Sequence, residues 1–248
     1  MNQMLDKLQA GGVAVGASGT LDTEVRFLAG TGFDFLVFDT QHATMEIKQL
    51  APPIASMRGT QAVPIIRVGA NSAEQICYAL DQGAKGVIAP MIESREQAQY
   101  MASACRYPPE GIRSNAGQRG EWGSFEAYSD YMQAVNENVL VIPMVETVEG
   151  LENLEAIVTT PGVNTLLIGP SDLSITLGMP LEYTNPKYLD VLDRIGSTCR
   201  EHDVAPGMYF LPPGIEAQAL ISMGFQFFTV GWYGWAKAGI QAGLAEIR

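Results

Sequence analysis

The stretch VLVIPMVETVEGLENLEAIV, residues 139–158, carries the pattern from which the fold is read. Its first half is a run of β-branched and apolar residues closed by Glu146. Its second half is amphipathic and reads as a helix. An apolar run without polar alternation marks a strand covered on both faces. Such a strand followed by a helix is one unit of a parallel α/β sheet.

The same unit recurs along the chain. Further strand candidates are VAVGA (13–17), FDFLVF (33–38), AVPIIRV (62–68), KGVIAP (85–90), NTLLIG (164–169), VAPGMYF (204–210) and FQFFTVG (225–231). Helical patterns lie at 21–30, 71–83, 94–106, 186–202, 214–224 and 232–247, with Asn71 or Ser72 as the cap of the second. Eight alternations predict an α/β fold of the closed (β/α)8 TIM-barrel type, with residues 1–248 as one domain. An open doubly wound sheet would show a glycine-rich phosphate loop after its first strand. VAVGASGTLD has no GxGxxG.

Two segments interrupt the pattern. APP at 51–53 is expected to break the helix after strand two. Residues 107–138 read as a long loop insertion, with FEAYSDYMQAV as a short helix. As an insertion after strand four, it is expected on the C-terminal face of the barrel.

Composition excludes several classes. A net charge of −12 argues against a nucleic-acid binder, which needs a basic footprint. No apolar run approaches the roughly 20 residues that span a bilayer, and the N-terminus lacks a signal core. A cytoplasmic protein is the expectation. Only 17% of residues are charged while 47% are hydrophobic, which favours a homo-oligomer with buried interfaces. Cys77, Cys105 and Cys199 form no CxxC and read as free thiols in a reducing compartment.

Chemistry in a barrel belongs at the C-terminal ends of strands. Asp39, Gln41 and His42 follow strand two, Arg67 ends strand three, Glu146 ends strand five, and Asp172 follows strand six in GPSDLS. Glu146 and Asp172 suit a divalent metal such as Mg²⁺ or Mn²⁺, with water or substrate oxygens completing the shell. Either acid alone also suits a helix N-terminus. A three-histidine zinc site is impossible with two histidines. Arg67, inside an apolar run, needs a carboxylate: Asp39 on the neighbouring strand, an acidic substrate, or both. His42 has the chemistry of a general base, and Asp81 is a candidate to orient it. Gly169, Pro170, Ser171 and Asp172 open a helix whose N–H groups suit an anionic end of a substrate. Met91, Met144 and Met179 read as packing residues. Trp232, Tyr233 and Trp235 read as an interface.

FDTQHA, PIIRV, LDQGAKGVIAPMI, RYPPEGIR, PMVET and IGPSDLS occur in an order and spacing that resemble the class II, metal-dependent pyruvate aldolases of the HpcH/HpaI family. The resemblance spans nearly the whole chain. It implies a barrel whose subunits exchange their last helix, and hexamers built as trimers of dimers. It implies a metal (Mg²⁺, Mn²⁺ or Co²⁺) on Glu146 and Asp172, an arginine for the pyruvate carboxylate in Arg67, and an acid–base dyad of His42 with Asp81. The implied reaction is reversible cleavage of 4-hydroxy-2-oxo acids to pyruvate, or an analogue such as hydroxypyruvate, and an aldehyde through an enolate. Oxaloacetate decarboxylation or another 2-oxo acid lyase reaction is the alternative, and a non-catalytic 2-oxo acid binding barrel the minor one. Three places depart from the family. Gln41 stands where it usually has glutamate, GWYGW lacks the usual acid, and SNAGQRGEW is atypical, with Arg113 and Arg119 as possible contacts for an anionic acceptor.

Overall fold

The computed structural model describes all 248 residues. Eight parallel strands close into a barrel in sequence order. They are β1 (Ala14–Gly19), β2 (Phe35–Asp39), β3 (Val63–Arg67), β4 (Gly86–Ala89), β5 (Leu140–Val145), β6 (Thr165–Ile168), β7 (Ala205–Met208) and β8 (Phe227–Val230). Six fall inside the runs named above, while β1 runs two residues past its run and β2 one residue, to Asp39. The periodicity was sufficient here because strands buried on both faces have no polar positions to blur it.

The helices are α1 (Gln3–Gln9), α2 (Val25–Ala29), α3 (Ala51–Ser56), α4 (Ala73–Asp81), α5 (Arg95–Ala104), α6 (Tyr128–Asn138), α7 (Val148–Glu152), α8 (Leu154–Val158), α9 (Pro170–Thr176), α10 (Pro186–Glu201), α11 (Ala217–Met223) and α12 (Tyr233–Ala245). The break at APP is real: a single 3-10 turn, Ile47–Gln49, precedes α3, whose prolines occupy its first turn. The helix expected over 147–158 is two, divided at Asn153, whose side chain donates to Glu93 O. Ser72 is the residue at the start of α4, but its hydroxyl makes no capping bond.

Two apolar layers hold the barrel. The larger lies between strands and helices, and the smaller fills the barrel interior with Phe35, Val37, Ile65, Leu140, Ile142 and Phe227. Gly16 and Gly207 face the rings of Phe35 and Phe227, and a Cβ at either would strike the ring. Truncating Phe35 to alanine would leave a cavity costing about 3–5 kcal/mol. The N-terminal mouth is stoppered by α1, absent from the sequence reading, which adds Met4, Leu5 and Leu8 to the interior layer. Asn2 fixes this plug: its Oδ1 accepts from Leu5 N–H, and its Nδ2 donates to Lys85 O and Asn138 O.

The insertion lies at the opposite end from that expected. It follows α5, which runs back from the C-terminal rim, so residues 107–127 emerge at the N-terminal face. There Lys85, at the start of β4, sits 4.9 Å from the Trp122 ring centroid. Arg106 staples the insertion down. Its buried guanidinium donates to three backbone carbonyls, those of Ala102, Asn136 and Gly162, at 3.2, 3.2 and 2.8 Å. Arg113 and Arg119 also lie at this face, paired with Asp81 Oδ1 and donating to Asp81 O. They are therefore not at the C-terminal rim of the barrel.

The last helix stands apart. No residue of α12 is buried, and Tyr233, Trp235, Ile240 and Leu244 are exposed large apolar side chains. No helix is long and apolar enough to cross a membrane.

Candidate active site at the barrel rim

The rim is organised by strand register. Asp39 and Arg67 are the last residues of β2 and β3 and are direct partners across the ladder. The Arg67 fork meets the carboxylate side-on, Nε to Oδ1 at 2.8 Å and Nη2 to Oδ2 at 2.6 Å. Asp39 Oδ1 also accepts from the backbone N–H of Gln41 at 2.9 Å and His42 at 3.4 Å. Burial works to raise the Asp39 carboxyl. The Arg67 hydrogen bonds and charge, with those two N–H groups, outweigh it and hold Asp39 below the usual carboxylate range.

Glu146 is buried just beyond β5. Its Oε1 accepts from Met91 N–H at 3.0 Å. Met91 reaches this position in the left-handed region, at φ 55°, a conformation unfavourable for a non-glycine residue. Gly169 permits the other oxygen, because a Cβ there would collide with Glu146 Oε2. Burial raises the Glu146 carboxyl above its ordinary range and the charge of Asp172 adds to this, with Met91 N–H and Arg67 opposing. Asp172 itself is exposed, in the first turn of α9, with Pro170 at the first helical position. The helix leaves the N–H groups of Ser171 and Asp172 without intrahelical acceptors. The Ser171 hydroxyl is engaged with Tyr183 Oη at 3.1 Å.

Asp39, Gln41, His42, Arg67, Glu146 and Asp172 thus share one rim. Asp81 does not join them. It ends α4, a nine-residue helix descending from the rim, and is bound to Arg113 at 3.3 Å. Nine residues span roughly 13 Å, so His42 and Asp81 of one chain form no pair. His42 is exposed and its only bond at this rim is through its backbone. Gln41 Oε1 is buried with no hydrogen-bond partner. It lies beside a groove of about 490 Å³ lined also by Gly69, Asn71, Met91, Gln97 and Tyr100.

Two contributors escaped the sequence reading. Met91 is not a packing residue: its side chain is exposed and its backbone holds Glu146. Met144, by contrast, packs in the interior as expected. Tyr209, read only as part of an apolar run, lies with its ring centroid 3.9 Å from the Arg67 guanidinium carbon. A tyrosine one residue beyond a strand was the available signal, since that is where rim side chains originate.

The donor set suits a hard divalent cation. Glu146 is a buried carboxylate beside a second carboxylate, a repulsion that a cation would offset, and one of its oxygens receives no hydrogen bond. No cluster of three or more His, Cys, Asp or Glu side chains converges anywhere in the chain. Glu146 and Asp172 would therefore share such an ion with water or substrate oxygens, as Mg²⁺ sites do.

With the parallel barrel and the arginine and paired carboxylates of its rim described, comparison with known proteins gives the class. The HpcH/HpaI aldolase/citrate lyase family model matches residues 18–236. The 5-keto-4-deoxy-D-glucarate aldolase of Klebsiella pneumoniae is 32% identical over 212 residues, covering 85% of this chain and 81% of that enzyme. The crystal structure of an HpcH/HpaI aldolase/citrate lyase family protein from Burkholderia cenocepacia superposes with a TM-score of 0.86 at 27% identity over 100% of both chains. That of the citrate synthase SbnG gives 0.80 at 27% identity, covering 98% of this chain and 96% of the other. The chain belongs to the HpcH/HpaI aldolase/citrate lyase family and is a lyase of the aldolase kind.

Proposed function

We propose that the protein is a divalent-metal-dependent aldolase that reversibly cleaves 4-hydroxy-2-oxo acids to pyruvate, or an analogue such as hydroxypyruvate, and an aldehyde. The observation that carries this reading is Glu146, buried beside Asp172 and within the field of Arg67. An ion held by the two carboxylates, Mg²⁺, Mn²⁺ or Co²⁺, would supply Lewis acidity to the carboxylate and keto oxygens of a 2-oxo acid. Arg67 has spent Nε and one Nη2 hydrogen on Asp39, and its Nη1 meets only Met144 Sδ at 3.8 Å. Its open Nη edge is left to bind substrate oxygens and stabilise the charge of an enolate. The N–H groups of Ser171 and Asp172 suit the substrate carboxylate. His42 is assigned to moving protons at the rim; a dyad with Asp81 would have to form between subunits. Gln41 adds no charge, so it acts on the water around the ion and not as the base.

Homo-oligomerisation, with α12 exchanged between subunits in a hexamer built as a trimer of dimers, is part of the same proposal and is supported by the apolar, unburied α12. The test is retro-aldol activity and exchange of the pyruvate methyl protons with solvent, each measured with and without added metal. Full activity after chelation, or in Glu146→Ala, would sink the reading.

A second reading, oxaloacetate decarboxylation or a related 2-oxo acid lyase reaction, would use the same enolate-stabilising site. Pyruvate release from oxaloacetate compared with several hydroxy-oxo acids separates the two.

A further inference from the structure

Arg67 is constrained on more sides than an ion pair requires. Asp39 holds one edge of the guanidinium side-on through Nε and Nη2. A side-on pair fixes the fork within the carboxylate plane but leaves rocking about the shared axis. The ring of Tyr209 closes that freedom, with 3.9 Å between its centroid and Cζ. Tyr209 is itself well supported. Its backbone N–H donates to Ile168 O at 3.0 Å, and its side chain packs on the apolar filling of the barrel interior. Met144, which meets Nη1, belongs to the same filling. The guanidinium thus rests on the barrel core from beneath, and its charge is felt by Glu146.

We infer that Tyr209 is a positioning residue: its ring sets the plane of the Arg67 guanidinium, and so the direction in which the free Nη hydrogens meet an oxo-acid oxygen. The ring does this through cation–π attraction and shape, which need no hydroxyl. Burial, first among the causes, and the neighbouring Asp39 push the phenol well above its ordinary range, with Arg67 opposing, so the ring stays neutral at any working pH. The inference deepens the aldolase reading and rests on it for its catalytic consequence, though not for its geometry.

Tyr209→Leu and Tyr209→Phe test it. In Tyr209→Leu, crystals are expected to show the Arg67 guanidinium rotated from its present plane with the Asp39 contact kept. Methyl-proton exchange at saturating pyruvate and affinity for oxalate, a planar dicarboxylate, should each fall by about thirtyfold, the size of a desolvated cation–π contact. The thermal midpoint and Mn²⁺ affinity should stay close to the parent. Tyr209→Phe should restore guanidinium plane, exchange and oxalate affinity together. An unmoved guanidinium in Tyr209→Leu overturns the inference, as does a phenylalanine variant as impaired as the leucine one. Absence of exchange in the parent protein sinks the aldolase reading instead, and the crystallographic comparison still decides the role of Tyr209.

Discussion

Asp39 and Arg67 are direct partners in the β2–β3 register and meet through two hydrogen bonds of 2.6 and 2.8 Å. The ladder places the two Cα atoms opposite each other before any side-chain chemistry acts. Removing one partner leaves the other charge stranded. Asp39→Ala is expected to destabilise the fold by about 3 kcal/mol, in the range for a broken buried pair. Urea unfolding measures this, and a loss below 1 kcal/mol would show that water replaces the carboxylate.

The pair also sets a pH dependence. Asp39 is held below its unfolded value, so its contribution is fully present above the ordinary aspartate range near 4. It is lost as pH falls through the depressed folded value. Unfolding free energies of the parent and Asp39→Asn should differ at pH 7 and converge as the pH is lowered through that range. A constant difference across the range would contradict the assignment.

Glu146→Gln keeps the shape of a buried side chain and removes its charge. Mn²⁺ should raise the thermal midpoint of the parent protein and not of the variant, and methyl exchange should fall at least ~100-fold, the scale of losing a group that supports charge stabilisation at the reacting centre. A variant that still responds to metal would move the site elsewhere.

Gly169→Ala probes the same carboxylate from the other side. The added Cβ collides with Glu146 Oε2, which must turn away. Metal affinity is expected to drop about 10-fold or more, as when a supporting neighbour of a ligand is altered. Circular dichroism should be unchanged. Unaltered metal affinity would mean that Glu146 has room the present geometry denies it.

Gln41→Glu puts a negative charge where the side chain's own buried carbonyl oxygen, Oε1, now has no partner. The expected outcome is a changed rate or an altered preference among Mg²⁺, Mn²⁺ and Co²⁺, with little change in thermal midpoint. If neither rate nor preference moves, Gln41 only fills space.

Legibility followed the physics of each element. The eight strands were readable because a parallel strand covered on both sides is a continuous apolar run, as in LVIPMV of β5. Arg67 and Asp39 were readable because a charge inside such a run demands an opposite charge nearby. The helix at 147–158 was misjudged because Asn153 leaves the periodicity intact while breaking the helix through its bond to Glu93 O. The face on which the insertion lies is not legible, because a long polar segment carries no mark of which end of a helix it follows. Met91 holds Glu146 through a backbone N–H, which leaves no trace in residue type, whereas Tyr209 is marked only by being a tyrosine just beyond a strand. His42 and Asp81 show the converse: their resemblance-based pairing is not met within one chain.

Arg106 holds the insertion by three carbonyl oxygens and no carboxylate. Neither the guanidinium nor a peptide oxygen changes protonation over the range in which proteins work. The clamp at the base is thus indifferent to acid, whereas Asp39 at the rim is not. Acid that weakens the Asp39 pair should therefore leave the Arg106 clamp closed.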